Sequence, residues 1–176
     1  VLTMAEKGNI NAILELKDIT GIFHVHTKYS DGASSIKDMA AAVQAKGMYY
    51  IGITDHSRSA FYANGLTAER VLQQHQEIDE LNKSFAPFKI FKGIESDILN
   101  DGNLDYEEDI LKQFDFVIAS VHSVLKMDIE KATNRLIRAI ENPYTTMLGH
   151  MTGRLLLSRE GYPLHTQKII DACATN

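Results

Sequence analysis

The sequence predicts an α/β fold in which five strand–helix units follow one another within one domain. Three observations carry that reading. Short apolar runs recur along the chain, and each ends in, or runs into, His or Glu. Between them lie stretches with apolar residues at helical spacing, several opened by a Ser, Thr or Asp cap. Short connections join these segments, and no repeat or low-complexity tract interrupts the alternation.

Residues 1–18 show little pattern beyond Ile13, Leu14 and Leu16 and read as a linker against the domain edge, leaving 19–176 as the domain. The first strand covers 22–26 and carries His24 and His26. Ser35 then opens a helix with Asp38 as its capping-box partner, Ile36, Met39, Ala40 and Val43 inward, and Gly47 as the C-terminal cap. A strand over 49–54 runs into Asp55 and His56. After a loop over 58–66, Thr67 caps a long helix whose stripe holds Val71, His75, Ile78 and Leu81, which makes His75 a packed side chain. The third strand, 89–95, ends on Glu95. A turn over 100–103 follows, and Asp105 with Glu108 starts a short helix ending near Lys112. The fourth strand, 116–121, is apolar throughout, as expected of burial on both faces, and leads to His122. A helix over 128–141 turns Ala132, Leu136, Ala139 and Ile140 inward and ends before Pro143. A strand over 146–148 reaches His150, and a last helix spans 164–174, with His165 exposed at its start and Cys173 as a small core residue.

At 176 residues with a 44% hydrophobic share, the chain can bury a sizeable core. A net charge of −5 argues against a broad nucleic-acid footprint while leaving room for a local basic patch. No apolar run is long enough to span a membrane and no signal peptide is visible, so a cytoplasmic location is expected. One cysteine cannot form an internal disulfide, which fits a reducing compartment. Val1 and the terminal Asn176 read as the cut ends of a larger protein.

Parallel strands joined by right-handed crossovers put all their C-terminal ends on one face. His24, His26, His56, Glu95, His122 and His150 therefore converge, with Asp31 nearby in the turn after the first strand. Neutral imidazole is the commonest protein metal ligand. A set of imidazoles and carboxylates without thiolate suits zinc, manganese or iron.

These residues resemble the polymerase-and-histidinol-phosphatase family, usually called PHP. The matching motifs are His24-Val25-His26 with Ser30-Asp31-Gly32, Ile53-Thr54-Asp55-His56, Gly93-Ile94-Glu95, Ser120-Val121-His122 and Gly149-His150. Similarity is closer still to the PHP domain at the C-terminus of bacterial and archaeal family X DNA polymerases, through Ala63-Asn64-Gly65-Leu66, Asp101-Gly102-Asn103-Leu104-Asp105 and Thr152-Gly153-Arg154-Leu155-Leu156. The resemblance implies a distorted seven-unit βα barrel, TIM-barrel-like, here truncated after about five units, with up to three divalent ions that hydrolyse phosphoesters. It places one ion on His24, His26 and Glu95 with an Asp that the chain lacks. Glu95 bridges to a second ion on His122 and His150, and a third uses Asp31, His56 and a further absent His. The family's late Asp-x-His motif is missing, and Met151 stands where these domains usually have proline. With so open a barrel, the fragment is expected to self-associate or recruit a missing piece, to hold fewer than three ions and to turn over weakly.

Asp55 is a candidate for the catalytic set as an orienting carboxylate, against the alternative that it only caps the turn. Arg154 and Arg58 are candidates for a substrate phosphate, against plain solvated arginines, and Tyr29 and Tyr62 for a nucleobase, against rim packing. The implied function is that of a metal-dependent 3′–5′ exonuclease or 3′ phosphatase acting on DNA ends in repair, beside an upstream polymerase domain. Alternatives are a stand-alone phosphatase of the histidinol-phosphatase kind and a non-catalytic module that steadies a polymerase.

Overall fold

The computed structural model describes residues 2–8 and 13–176. Five strands pair in parallel in chain order: β1 (Gly21–Val25), β2 (Tyr50–Ile53), β3 (Lys89–Asp97), β4 (Phe116–Ser120) and β5 (Met147–Leu148). Helices α2 (Ile36–Ala45), α3 (Ala68–Phe85), α4 (Glu108–Leu111) and α5 (Ile129–Ile140) fill the connections, and α6 (Thr166–Thr175) follows β5. No helix among the described residues is long and apolar enough to cross a membrane.

Helix starts lie where the cap residues put them. The side chains of Ser35, Thr67 and Asp128 accept the backbone N–H of Asp38, Arg70 and Lys131, each satisfying a donor that the first turn leaves open. Helices α2 and α3 cover one part of the sheet, burying Ile36, Ala40, Val43 and Ile78 against Ile51, Ile53 and Ile90. Farther along, α5 and α6 bury Leu136, Ala139 and Ile169 in a cluster with Ile94, Val117 and Ala119.

The other face of the sheet is aromatic, and it shows that the sheet curls. Neighbouring strands lie about 4.8 Å apart, so a flat sheet would hold β1 and β4 roughly 14 Å from each other. Yet the rings of Phe23 on β1 and Phe116 on β4 meet at 4.9 Å between centroids, with Tyr50 and Phe91 also packed on Phe23. Glycine makes room for this. A Cβ on Gly52 would stand 2.3 Å from Phe23, and one on Gly93 2.3 Å from Phe116. The arc brings loops of distant strands together on one rim.

Several expectations need correction. Cys173 is exposed, because α6 turns Ile169 and Ala172 toward the core and leaves Cys173 outside that stripe. Asp105 does not open α4. Glu107 holds the N-cap position, and Asp105 is buried, accepting the backbone N–H of Ser59 at 2.7 Å. Leu14 and Leu16 lie exposed rather than against the domain edge, and α1 (Leu2–Glu6) gives the expected linker a helix of its own. Residues 1 and 9–12 of that linker fall outside the described residues.

Candidate metal centre

Glu95, in the C-terminal half of β3, is fully buried, and five imidazoles surround it. Its Oε1 lies 3.0 Å from His24 Nε2, 3.3 Å from His122 Nε2 and 3.0 Å from His150 Nε2. Its Oε2 lies 3.3 Å from His26 Nε2 and 3.2 Å from His56 Nδ1. The curl of the sheet makes this possible: the rings of His24 and His150, from opposite edges of the arc, are 5.2 Å apart. Both residues sit at positive φ, 63° for His24 and 44° for His150, a backbone conformation costly to residues with a Cβ. Strain of this kind collects where a side chain must be aimed at a site.

Carboxylates behind the rings set their tautomers. The 2.6 Å contact between His122 Nδ1 and Asp97 Oδ1 fits an N–H donor to a carboxylate, so that it is the Nε2 proton whose loss turns a lone pair toward the site. Asp31 does the same for His26, with Oδ1 at 3.1 Å from Nδ1, while its Oδ2 is 3.6 Å from His56 Nε2. Burial works against a charged His122, yet Asp97 and Glu95 hold its pKa up at about 9. For His56 burial dominates and pushes the pKa down. Burial alone would raise the Glu95 carboxyl, but His122, His150, His24 and His26 hold it far below the usual carboxylate range.

The donor set fits a divalent cation. Both Glu95 oxygens and His56 Nδ1 are buried without a partner in hydrogen-bond geometry, although nitrogens stand between 3.0 and 3.3 Å from the carboxylate. Unsatisfied carboxylate oxygens in a dry site are costly, and lone pairs converging from several sides are what a cation satisfies. Three groups of ligand atoms are close enough to share an ion: His24, Glu95 and His150; His26, His56 and Glu95; and His56, Asp97 and His122.

The sequence itself matches known proteins in the same region. A family model for the PHP domain matches residues 23–171. The chain belongs to the PHP family. It is 46% identical to the DNA polymerase/3′-5′ exonuclease PolX of Bacillus subtilis over 90% of its own length, covering 28% of that protein. It is also 34% identical to a protein of Thermoanaerobacter sp. named "Probable phosphatase", across 85% of this chain and 58% of that one. Among solved structures, histidinol phosphate phosphatase from Lactococcus lactis, with zinc, L-histidinol and phosphate, aligns at a TM-score of 0.49 and 20% identity over 75% of this chain and 57% of that one. The PHP chain thus spans under two thirds of the length of these relatives.

All seven residues expected as ligands in this PHP domain gather on one rim, and His122 and His150 share one Glu95 oxygen as the expected second ion would need. His24 pairs with His150 on one Glu95 oxygen rather than with His26, and His56 joins His26 on the other. Asp55 does not face the rings. It is buried behind the loop after β1, accepting hydrogen bonds from Thr27 N and Oγ1, Ser30 N and Oγ, and Gln74 Nε2, at distances from 2.5 to 3.1 Å. Its place is to hold the loop that carries His26 and Asp31. Arg58 is turned away from the cluster, 3.5 Å from Asp105 and stacked over the Tyr106 ring. Arg154, by contrast, lines a cavity of about 310 Å³ with His122, His150, Tyr62 and Arg159. Tyr29 is tied by its hydroxyl to Glu77 at 2.8 Å, whereas Tyr62 is exposed with its ring 6.0 Å from that of His56. Sequence reading missed Asp97, Gln74 and Arg159 as parts of this region. The signal for Asp97 was its place two residues past Glu95, on the same side of an extended strand.

Proposed function

We propose that this chain hydrolyses phosphoesters with the help of divalent metal ions, and that its substrate is the 3′ end of DNA, cut as by a 3′–5′ exonuclease or 3′ phosphatase. The observation that carries the reading is the buried Glu95 carboxylate, with His24, His122 and His150 on one oxygen and His26 and His56 on the other. Those residues, with Asp31 at the edge, would hold the ions; zinc, manganese and iron all suit the set. Bound divalent ions supply Lewis acidity toward a phosphoryl oxygen and bring the pKa of water near neutrality.

The chain's own residues do the rest. Asp97 takes the proton side of His122, and Asp31 that of His26, so that both present Nε2 to the site. Asp55 fixes the loop between them. Arg154, beside His122 and His150, offers a planar guanidinium to the non-bridging oxygens of a phosphate and orients it. Identity of 46% to a Bacillus protein named for polymerase and exonuclease activity favours DNA ends, and a polymerase domain as the natural neighbour. The 34% identity to a "Probable phosphatase" favours a second reading, a small phosphomonoester.

A direct test loads the chain with manganese or zinc and offers it a 3′-hydroxyl oligonucleotide, a 3′-phosphorylated oligonucleotide and p-nitrophenyl phosphate. Release of nucleotides or phosphate from the DNA supports the first reading. Turnover of the small ester alone moves the assignment to the second. Inertness toward all three with ions bound would leave a non-catalytic module.

A further inference from the structure

Past His150 the chain folds back on itself. Leu155 and Arg159 pair as an antiparallel bridge, with Leu155 N–H to Arg159 O and Arg159 N–H to Leu155 O both at 2.9 Å, and Ser158 N–H also reaches Leu155 O. Arg159 ties the base of this hairpin down through Nε to Gly153 O at 2.9 Å, an arrangement that leaves its two terminal nitrogens without a partner among the described residues. At the tip stand Leu156, 71% exposed, and Leu157, 108% exposed at a φ of 63°. A leucine fully in water at a positive φ gives up both burial and backbone comfort. Arg154 and Arg159 flank the tip, and both line the cavity shared with His122, His150 and Tyr62. In a chain of net charge −5, two arginines and two exposed leucines, with Glu160 as the carboxylate beside them, thus stand on the rim of an otherwise carboxylate-and-imidazole site.

We infer that the hairpin over 154–159 is the element that grips the nucleic-acid strand end entering the metal centre. Arg154 keeps the phosphate at the metal centre, Arg159 takes the backbone phosphate next to it, and Leu156 and Leu157 pack against the bases, keeping the last nucleotides apart from a partner strand. Charge complementarity sets the occupant: guanidinium groups meet phosphates, and apolar tips beside them meet base faces, a pairing that strand-separating and single-strand binders use. A small phosphoester would fill the cavity without reaching Leu157. The inference rests on the DNA reading above and narrows it to strand ends at least several nucleotides long.

The test uses the whole chain in EDTA, so that binding is read without cleavage, and a fluorescein-labelled single-stranded 20-mer in an anisotropy titration over a range of salt. Wild type should bind. The double variant Leu156→Ser/Leu157→Ser should bind about tenfold more weakly with an unchanged salt slope, because losing the partial burial of two leucine side chains against the bases costs on that order. Arg154→Ala should flatten the slope of log K against log salt by about 0.7, the value for one phosphate contact on a single strand. In parallel, the manganese-loaded double variant should hydrolyse p-nitrophenyl phosphate at the wild-type rate, since both side chains are exposed and neither lines the cavity with His122 and His150. Wild-type binding that the double variant reproduces would overturn the hairpin's role while leaving the DNA reading standing, and would point to a protein neighbour on the leucine tip. Wild type that fails to bind DNA at all would overturn the inference, and would take the DNA reading with it if the manganese-loaded chain also leaves the oligonucleotides uncut. Equal loss of p-nitrophenyl phosphate turnover in the double variant would mean that the tip shapes the metal centre, and would also overturn the inference.

Discussion

Replacing Asp97 by Asn separates charge from shape at the candidate metal centre. Asp97 is buried, with Oδ1 at 2.6 Å from His122 Nδ1 and Oδ2 accepting the Ser59 hydroxyl at 3.0 Å. An Asn side chain fills the same space: its carbonyl accepts from His122, and its NH₂ donates to Ser59 Oγ. What it removes is the negative charge behind the ring, which makes Nε2 a better donor to a cation and fixes its direction. Partners of this type are worth about 10- to 100-fold in metal affinity, or roughly 1.4–2.7 kcal/mol. Asp97→Asn should therefore weaken zinc binding by one to two orders of magnitude in a competition titration against a chelating dye. The melting temperature in EDTA should move by no more than a few degrees. Affinity within twofold of wild type would refute the reasoning, because it would mean that His122 Nε2 does not face an ion.

Other expectations follow from the same geometry. Glu95→Ala should abolish phosphoester hydrolysis while the far-ultraviolet circular dichroism stays native; activity within tenfold of wild type would show that no ion depends on Glu95. Asp55→Ala leaves Thr27 N–H, Ser30 N–H and the Gln74 amide without their acceptor in a dry interior. That should cost about 3–5 kcal/mol in urea unfolding, and a loss under 1 kcal/mol would contradict the network. His75 is buried against Phe114, and burial, reinforced by Lys92, lowers its pKa from the ordinary 6.5 to about 4 despite Asp115 and Asp79. The unfolded chain therefore binds the proton first. His75 costs nothing above pH 6.5, and stability falls as pH drops from 6.5 toward 4. After discounting for water near the ring, the loss is roughly 2 kcal/mol. His75→Leu should flatten that part of the curve of unfolding free energy against pH, and a curve parallel to wild type would exclude the histidine.

Much of this arrangement was legible because local chemistry is short-ranged. Ser35, Thr67 and Asp128 announce helix starts through one hydrogen bond each, and the parallel order of the strands turns a series of histidines into one rim. The misses share a cause. Asp105 has a helix-starting composition, but a backbone N–H from Ser59, 46 positions earlier, claims its carboxylate. Arg58 looks free until Asp105 and Tyr106 fold beneath it. Periodicity could not choose which of the residues three or four on from Ile169 would face α5, and Ala172 rather than Cys173 does. The way the ligands divide between the two Glu95 oxygens depends on the curl of the sheet, which is set by ring packing over Gly52 and Gly93 rather than by any pattern along the chain.

The buried Asp55 has a consequence for how the molecule assembles. Its hydrogen bonds tie together three places far apart in sequence: the loop at Thr27 and Ser30, the segment just past β2 that carries Asp55 itself, and Gln74 in α3. Any half-formed arc that buries the carboxylate before all three arrive carries an ion stripped of water with donors missing, so such species are sparsely populated. The network thereby acts as an assembly gate that makes the first two βα units cooperative. Amide protons of Thr27 and Ser30 should exchange with solvent together and only through the large opening events that also release α3, even though the loop bearing them lies at the rim.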